Sequence, residues 1–439
     1  MTKKFHLAWF VANGFGVQGF RDGWDGIWSG TNGRDFAKAD FYVDMAKSLE
    51  RAGFDYMMLE DSSNVPYTYG QSHETYVKHA IATPKHDPAQ LAPILAYATS
   101  KIGIVATLST SEYHPYMLAR QIATMDHLSE GRGGWNIVTG SNDGTAQNYG
   151  SAGHFPHDER YDRADEFIDV VKQLLGSWDP DAVVMDRETG TFADHSKIRP
   201  INYEGQFYSS RGPLNVAPTP QGRPVFCQAG GSPRGREFAA INADTVIGSA
   251  NGIAEMKAFR EDIRARMVAN GRNPDDCKVL FLIDPVLGET HDAALDRKKR
   301  QQAETAANFE REAANFARVT GIDYATMDPD APIGELTSNG HQSVLEARLK
   351  SGVKTVRELI TSRSPTDSLG LVGTPEEVAD EMGAVMDEIG GDGFLFGTRT
   401  VNRHAISEIT DGLVPALQRR GLTRTEYEFP TFRENLLAF

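Results

Sequence analysis

The stretch KIGIVATLSTSEYHPYMLARQIATMDHLSEGRGGWNIVTGSND, residues 101–143, decides the fold. It opens on a continuous apolar run, KIGIVATL (101–108). Such a run suits a parallel strand buried on both faces better than an alternating strand with one wet face. A helical pattern follows in HPYMLARQIATMDHLSEG (114–131). Pro115 sits near its first turn, where a missing N–H is tolerated. A second apolar run, GGWNIVT (133–139), then restarts the cycle. Strand, helix and strand in this order predict a βαβ unit and a parallel sheet.

The same alternation continues in both directions. Six more apolar runs read as strands: FHLAWFV (5–11), YMMLE (56–60), PVFCQA (224–229), DTVIGSA (244–250), KVLFLIDPVL (278–287) and DGFLFGT (392–398). Helical patterns lie between them at 38–53, 88–100, 159–176, 253–271, 291–321, 374–390 and 406–421. Thr374 and Glu377 form a capping box at the start of the sixth of these, and Pro415 should kink or interrupt the last. Eight strands alternating with helices predict an α/β fold, a closed (β/α)8 TIM barrel, over an open doubly wound sheet. A barrel core needs only about 250 residues, and the chain has 439. The surplus reads as insertions near 12–37, 61–87, 177–222 and 322–373 in a single decorated domain, 1–439. Loops of this length are usually functional or lid-forming.

Composition narrows the function classes. The chain is 40% hydrophobic and 24% charged, ample for a sizeable core. A net charge of −15 argues against nucleic acid or a membrane surface as partner. Two cysteines, Cys227 and Cys277, make no disulfide framework or zinc knuckle. The N-terminus shows no cleavable leader, and no stretch reaches the ~18 apolar residues of a membrane span. A cytoplasmic location is the expectation.

Several motifs are tested by their context. Gly14, Gly16 and Gly19 spell G-x-G-x-x-G after the first strand, but a Gly- and Trp-rich loop follows where a dinucleotide site needs a helix. His154, His157 and Asp158 cluster in sequence without H-E-x-x-H or paired-cysteine spacing, so no metal site is expected. There is no G-x-S-x-G elbow and no G-x-x-x-x-G-K-[ST]. Glu60 and Asp61 end the second strand, on the face where a barrel keeps its chemistry, although a solvated loop start would read the same. Asn136 lies within the fourth strand, followed by a polar Thr/Ser/Asn tail. After the fifth strand, Gly230, Gly231 and Ser232 precede a helix whose N-terminus attracts anions, and Arg234 or Arg236 could add charge. A tight βα turn would use glycines too.

Longer pieces carry a family resemblance. LSEGRGGWNIVTGSNDGTAQNYG (128–150) and HDERYDRADEFIDVVKQLLGSWDPDAV (157–183) resemble the bacterial-luciferase-like flavin monooxygenases. The similar branch is that of nitrilotriacetate, dibenzothiophene-sulfone and long-chain alkane monooxygenases. RGPLNVAPTPQGRPVFCQAGGSPRGREFAA (211–240), GTPEEVADEM (373–382) and VPALQRRGLTRTEYEFPTFRENL (414–436) match in the same order. The resemblance implies a two-component flavoprotein of the cytoplasm, a homodimer or homotetramer. A separate NAD(P)H:flavin reductase would supply reduced FMN, which reacts with dioxygen to a flavin 4a-peroxy species. It further implies FMN contacts at Asp61, Thr107 and Asn136, a ribityl and phosphate hold by His157 and Tyr161, and a phosphate site at Gly231 and Ser232.

The implied substrate is a small organic molecule oxygenated or cleaved at a C–S, C–N or C–C/C–H bond. Members act on sulfones, aminopolycarboxylates, alkanes, alkyl sulfides and the ribityl chain of flavins. A flavin-degrading enzyme, a deazaflavin-dependent oxidoreductase on the same fold and a flavin-binding partner without turnover are the alternatives. Two departures matter. Several members carry histidines in the loop after the first strand or just after the fourth; here those loops have none, so no catalytic acid or base is carried over. Residues 62–87 also differ, and His73, His79 and His86 there read as loop histidines. Phe15, Phe20, Trp24, Trp28 and Tyr69 suggest an aromatic-lined pocket, with 12–37 and 177–222 suited to a lid.

Overall fold

The computed structural model describes residues 4–11, 37–140, 142–336, 340, 342–361, 367–397 and 401–439. All eight predicted apolar runs become strands of one closed barrel. They are β1 (His6–Val11), β2 (Tyr56–Leu59), β3 (Gly103–Ser109), β4 (Gly133–Val138), β5 (Val225–Gln228), β6 (Thr245–Gly248), β7 (Lys278–Ile283) and β8 (Gly393–Phe396). Each pairs in parallel with the next, and β8 closes on β1 through His6↔Gly393. The barrel helices are α1 (Asp40–Ala52), α2 (Pro88–Ala98), α3 (Pro115–Leu128), α4 (His157–Leu175), α5 (Pro233–Asn242), α6 (Ile253–Ala269), α7 (Pro375–Ile389) and α8 (Val414–Arg419).

Strand alternation sorts the core into two shells. Leu7, Trp9, Met57, Trp135 and Phe226 face the helices, whereas Ala8, Tyr56, Met58, Val105, Cys227, Leu280 and Leu395 fill the lumen. Local rules set the ends. Gly53 stops α1 in the left-handed region at φ 85°, and Thr374 and Glu377 close the capping box of α7.

Two predicted helices come out broken. The segment 291–321 divides at Asn308 into His291–Ala307 and Phe309–Thr320. The segment 406–421 becomes Arg403–Ser407, a π-helical turn over Glu408–Leu413, and α8, so the wider turn absorbs the proline that sequence placed inside a helix. The run 278–287 also ends early, at Ile283; Val286–Leu287 pair instead with Val372–Gly373.

The insertions have distinct places. Segment 177–222 packs along the outer flank of α3 and α4. Tyr116 Oη donates to Asn215, and the Glu166 carboxylate accepts from the amides of Gln206, Phe207 and Tyr208. It therefore buttresses the wall, which corrects its reading as a lid. The segment after β7 builds its own small core from Phe316, Tyr324, Leu345 and Leu359, and it docks on the loop after β2. Gly14, Gly16, Gly19, Phe15, Phe20, Trp24 and Trp28, with the other proposed lid, lie outside the described residues. The opposite end of the barrel is plugged by Phe432 and Leu436.

Candidate active site

Strand ends at the C-terminal mouth bring most of the sequence-predicted residues together. Because Trp135 packs outward on Phe226 and Phe167, its neighbour Asn136 points into the lumen. Register sets Thr107 beside it, and Asn136 Nδ2 donates to Thr107 Oγ1 at 2.9 Å. The other amide atom, Asn136 Oδ1, is buried and has no hydrogen-bond partner among the described residues. An orphaned acceptor of this kind costs about 1–3 kcal/mol unless a ligand completes it.

Asp61 follows β2 and lines a cleft of about 420 Å³ with Thr83, Lys85, His86, Tyr113 and Tyr149. Its Oδ1 accepts from the Ser62 amide at 2.8 Å. Burial pushes the carboxyl up to about 7; Lys85 opposes this, while Glu112 and Glu60 add to it. Glu112 is itself raised by burial and accepts from Ser63 Oγ at 2.7 Å. Glu60 pairs with Lys85, with Arg318 of the post-β7 insertion 4.0 Å away. Among the loop histidines, His73 bonds the Pro66 carbonyl, His79 faces Glu310, and His86 lines the cleft.

A second cluster lies where β5 leads into α5. Ser232 caps the helix, its Oγ accepting from Gly235 N at 3.1 Å, and Pro233 opens the first turn. A Cβ on Gly235 would lie 2.7 Å from Tyr161 Oη, and one on Gly230 2.6 Å from the Gln228 amide. Only glycine fits this close approach, which leaves a bare backbone at a helix N-terminus, the arrangement that binds phosphate. Burial pushes the Tyr161 hydroxyl up, with the Gln228, Ser232 and Arg160 side chains opposing. The His157 ring lies 5.2 Å from that of Tyr161, and its Nδ1 is 2.8 Å from Asp158.

The two arginines do not supply the charge that sequence offered. Arg234 pairs with Asp162 and Asp165, and Arg236 bonds Asp262 and the Gly231 carbonyl. Backbone amides and the helix end are what remain for an anion. Sequence reasoning missed Lys85, Glu112 and Arg160, which enter through contacts that no spacing reveals, and weighed His154 only as a metal ligand. Among the described residues, no three His, Cys, Asp or Glu side chains converge as metal ligands. No described helix is long and apolar enough to cross a membrane.

Known proteins resemble the chain along its length. Residues 25–393 match the family described as luciferase-like monooxygenase. Dibenzothiophene-sulfone monooxygenase of Rhodococcus erythropolis (strain XP) is 36% identical over 99% of this chain and 96% of its own. Nitrilotriacetate monooxygenase component A of Aminobacter aminovorans is 34% identical over 90% of this chain and 89% of its own. A riboflavin lyase solved with modified FMN and riboflavin superposes with a TM-score of 0.87 at 31% identity, covering 100% of this chain and 96% of that one.

Proposed function

Since the chain belongs to the luciferase-like monooxygenase family, we propose that it is the oxygenating component of a two-component system. It takes reduced FMN from a separate NAD(P)H:flavin reductase and uses dioxygen to oxygenate or cleave a small organic substrate. The relative named as a component A supports the split between two proteins. The reading further treats residues 1–439 as one cytoplasmic domain, assembled as a homodimer or homotetramer. The observation that carries it is that one barrel end holds both the orphaned Asn136 Oδ1 and the glycine-lined N-terminus of α5.

Each group would have a part in holding the cofactor. Ser232 and the Gly231 backbone would take the phosphate at the end of α5, where the helix dipole offsets the anion's charge. Tyr161 and His157 would flank the ribityl chain, and Asn136 would present Oδ1 to the ring system with Thr107 fixing its amide. Bound reduced FMN supplies the electrons that activate dioxygen. Asp61 faces the cleft beside this site and, with its proton poised near neutrality, can give or take one at a carboxyl oxygen. Helix Phe309–Thr320 packs on the loop after β2 through Ala314, Tyr76 and Ile81 and would help hold that loop in place beside the site.

Oxygen uptake tests the reading. With FMN, NADH and a generic flavin reductase, a panel of sulfones, aminopolycarboxylates, alkyl sulfides and alkanes is supplied under 18O2. The expected result is a product carrying one labelled oxygen that forms only when this chain is present. No labelled product from any substrate, with turnover supported by a reduced deazaflavin, overturns it. The riboflavin lyase likeness favours a second reading, cleavage of the flavin's own ribityl chain. Release of free ribityl fragments without added substrate would mark that outcome.

A further inference from the structure

Lys85 is the one lysine or arginine among the described residues that line the cleft beside β2. Its ammonium is bonded to the neighbours of Asp61 on both sides. It pairs with the Glu60 carboxylate and donates to Ser62 Oγ at 2.9 Å. Glu60 is in turn tied to the barrel wall, its amide donating to the Val11 carbonyl of β1 at 3.1 Å. Asp61, between the two clamped residues, is held where it lines the cleft. The Lys85 side chain is only 6% exposed, and an ammonium so far withdrawn from water needs partners of this kind.

The chain takes a contorted route to deliver this group. Ala80 and Ala82 hold φ at 50° and 55°, left-handed values that a Cβ disfavours. Such strain persists only where the surroundings fix it. Ile81, between them, is buried with Tyr76 and with Ala314 of helix Phe309–Thr320, which fixes one end; the Lys85 clamp fixes the other. The same helix brings Arg318 within 4.0 Å of Glu60 Oε1, the other oxygen of the carboxylate that Lys85 holds.

The remaining groups around Asp61 do not replace this cation. Burial and the acidic Glu112 and Glu60 disfavour its ionised form, and Lys85 is the charge that opposes them. Tyr113, from the loop after β3, and Tyr149, at the end of helix Asp143–Asn148, have hydroxyls pushed up by burial and stay neutral. Asp87 is engaged in capping α2, where it accepts from the Ala89 amide at 2.8 Å, and the His86 ring lies edge-on to Tyr42. We propose that Lys85 is a positioning residue for Asp61: its clamp on Glu60 and Ser62 fixes the Asp61 carboxyl against the cleft and keeps a cation there to balance the charge left when the proton passes to a bound molecule. The proton leaves one carboxyl oxygen, and no other bond of the side chain changes. What molecule receives it rests on the oxygenase reading above.

The test reads the Asp61 midpoint directly, in the full chain with aspartate labelled at Cγ and no FMN added. Asp61→Asn identifies the resonance by its loss. The expected midpoint is about 7 in the wild type, about one pH unit or more higher in Lys85→Met, and most of the way back in Lys85→Arg. Should Lys85→Met fail to fold, the wild-type Lys85 Cε resonance, identified by its loss in Lys85→Arg, is expected to titrate with the Asp61 midpoint. In turnover under 18O2 the alkaline limb of product formation should move up with that midpoint, since the protonated carboxyl is the form that donates. An unmoved Asp61 midpoint in Lys85→Met, or a Lys85 resonance that does not follow it, overturns the proposal and leaves the oxygenase reading standing. A raised midpoint with an unmoved pH profile overturns it as well. If the wild type yields no labelled product, the oxygenase reading falls, and the two midpoints alone decide the clamp.

Discussion

Asp61 follows β2 with Glu60 beside it, Glu112 acts on it from the loop after β3, and its carboxyl keeps a proton up to about pH 7. The unfolded chain releases that proton near the ordinary aspartate value, close to 3.8. Between these values the folded state binds more protons than the unfolded one, so this group's contribution to stability falls as pH rises through the window. Asp61→Asn removes the penalty. Melting temperatures of the two proteins should coincide near pH 4 and diverge in favour of Asp61→Asn up to pH 7; parallel curves would refute the assignment. The residue itself was legible from its place at a strand's end. Its proton affinity was not, because Lys85 reaches it from the far end of the same loop and Glu112 from the loop after β3.

Among the elements, α5 carries the clearest consequence of a single turn. Ser232 both ends the β5 loop and caps the helix, so Ser232→Ala should lower stability by about 1 kcal/mol. The same substitution should weaken FMN binding several-fold, and a melt combined with an FMN titration separates the two effects. Sequence read this turn well because glycines followed by a cap and a proline are local signals. It read Arg234 and Arg236 less well. A basic residue in the first turn could reach an anion or a carboxylate, and the acidic faces of α4 and α6 take both. The break at Asn308 was concealed because amphipathic period runs on through a single non-helical residue, whereas Pro415 marked the other break in the sequence itself.

Across the whole molecule, the barrel has a working mouth and a sealed floor. Phe432 enters the lumen from below, so close to Gly103 that a Cβ there would stand 2.7 Å from its ring. Beside it, Asp55 accepts from Arg424 at 2.5 Å and lies 2.8 Å from His6 Nδ1. Burial pushes that carboxyl up, but Arg424 and His6 outweigh it and hold it below the usual range. Phe432→Ala should lower the unfolding free energy by about 3–5 kcal/mol in chemical denaturation while FMN affinity stays near wild type. An unchanged midpoint would mean that the plug contributes nothing. The sequence by itself determined the number of strands, their alternation with helices and the barrel they make, because burial on both faces leaves a periodicity within each segment. Only the tertiary structure decided which distant pieces meet: the post-β7 insertion joined to the β2 loop through Lys78–Glu310 and Gly70–Asp323, His154 laid over Gly140, and the C-terminal segment seated in the floor. Those contacts join segments far apart in the chain, and closure of the barrel, which no local pattern encodes, is what brings them within reach.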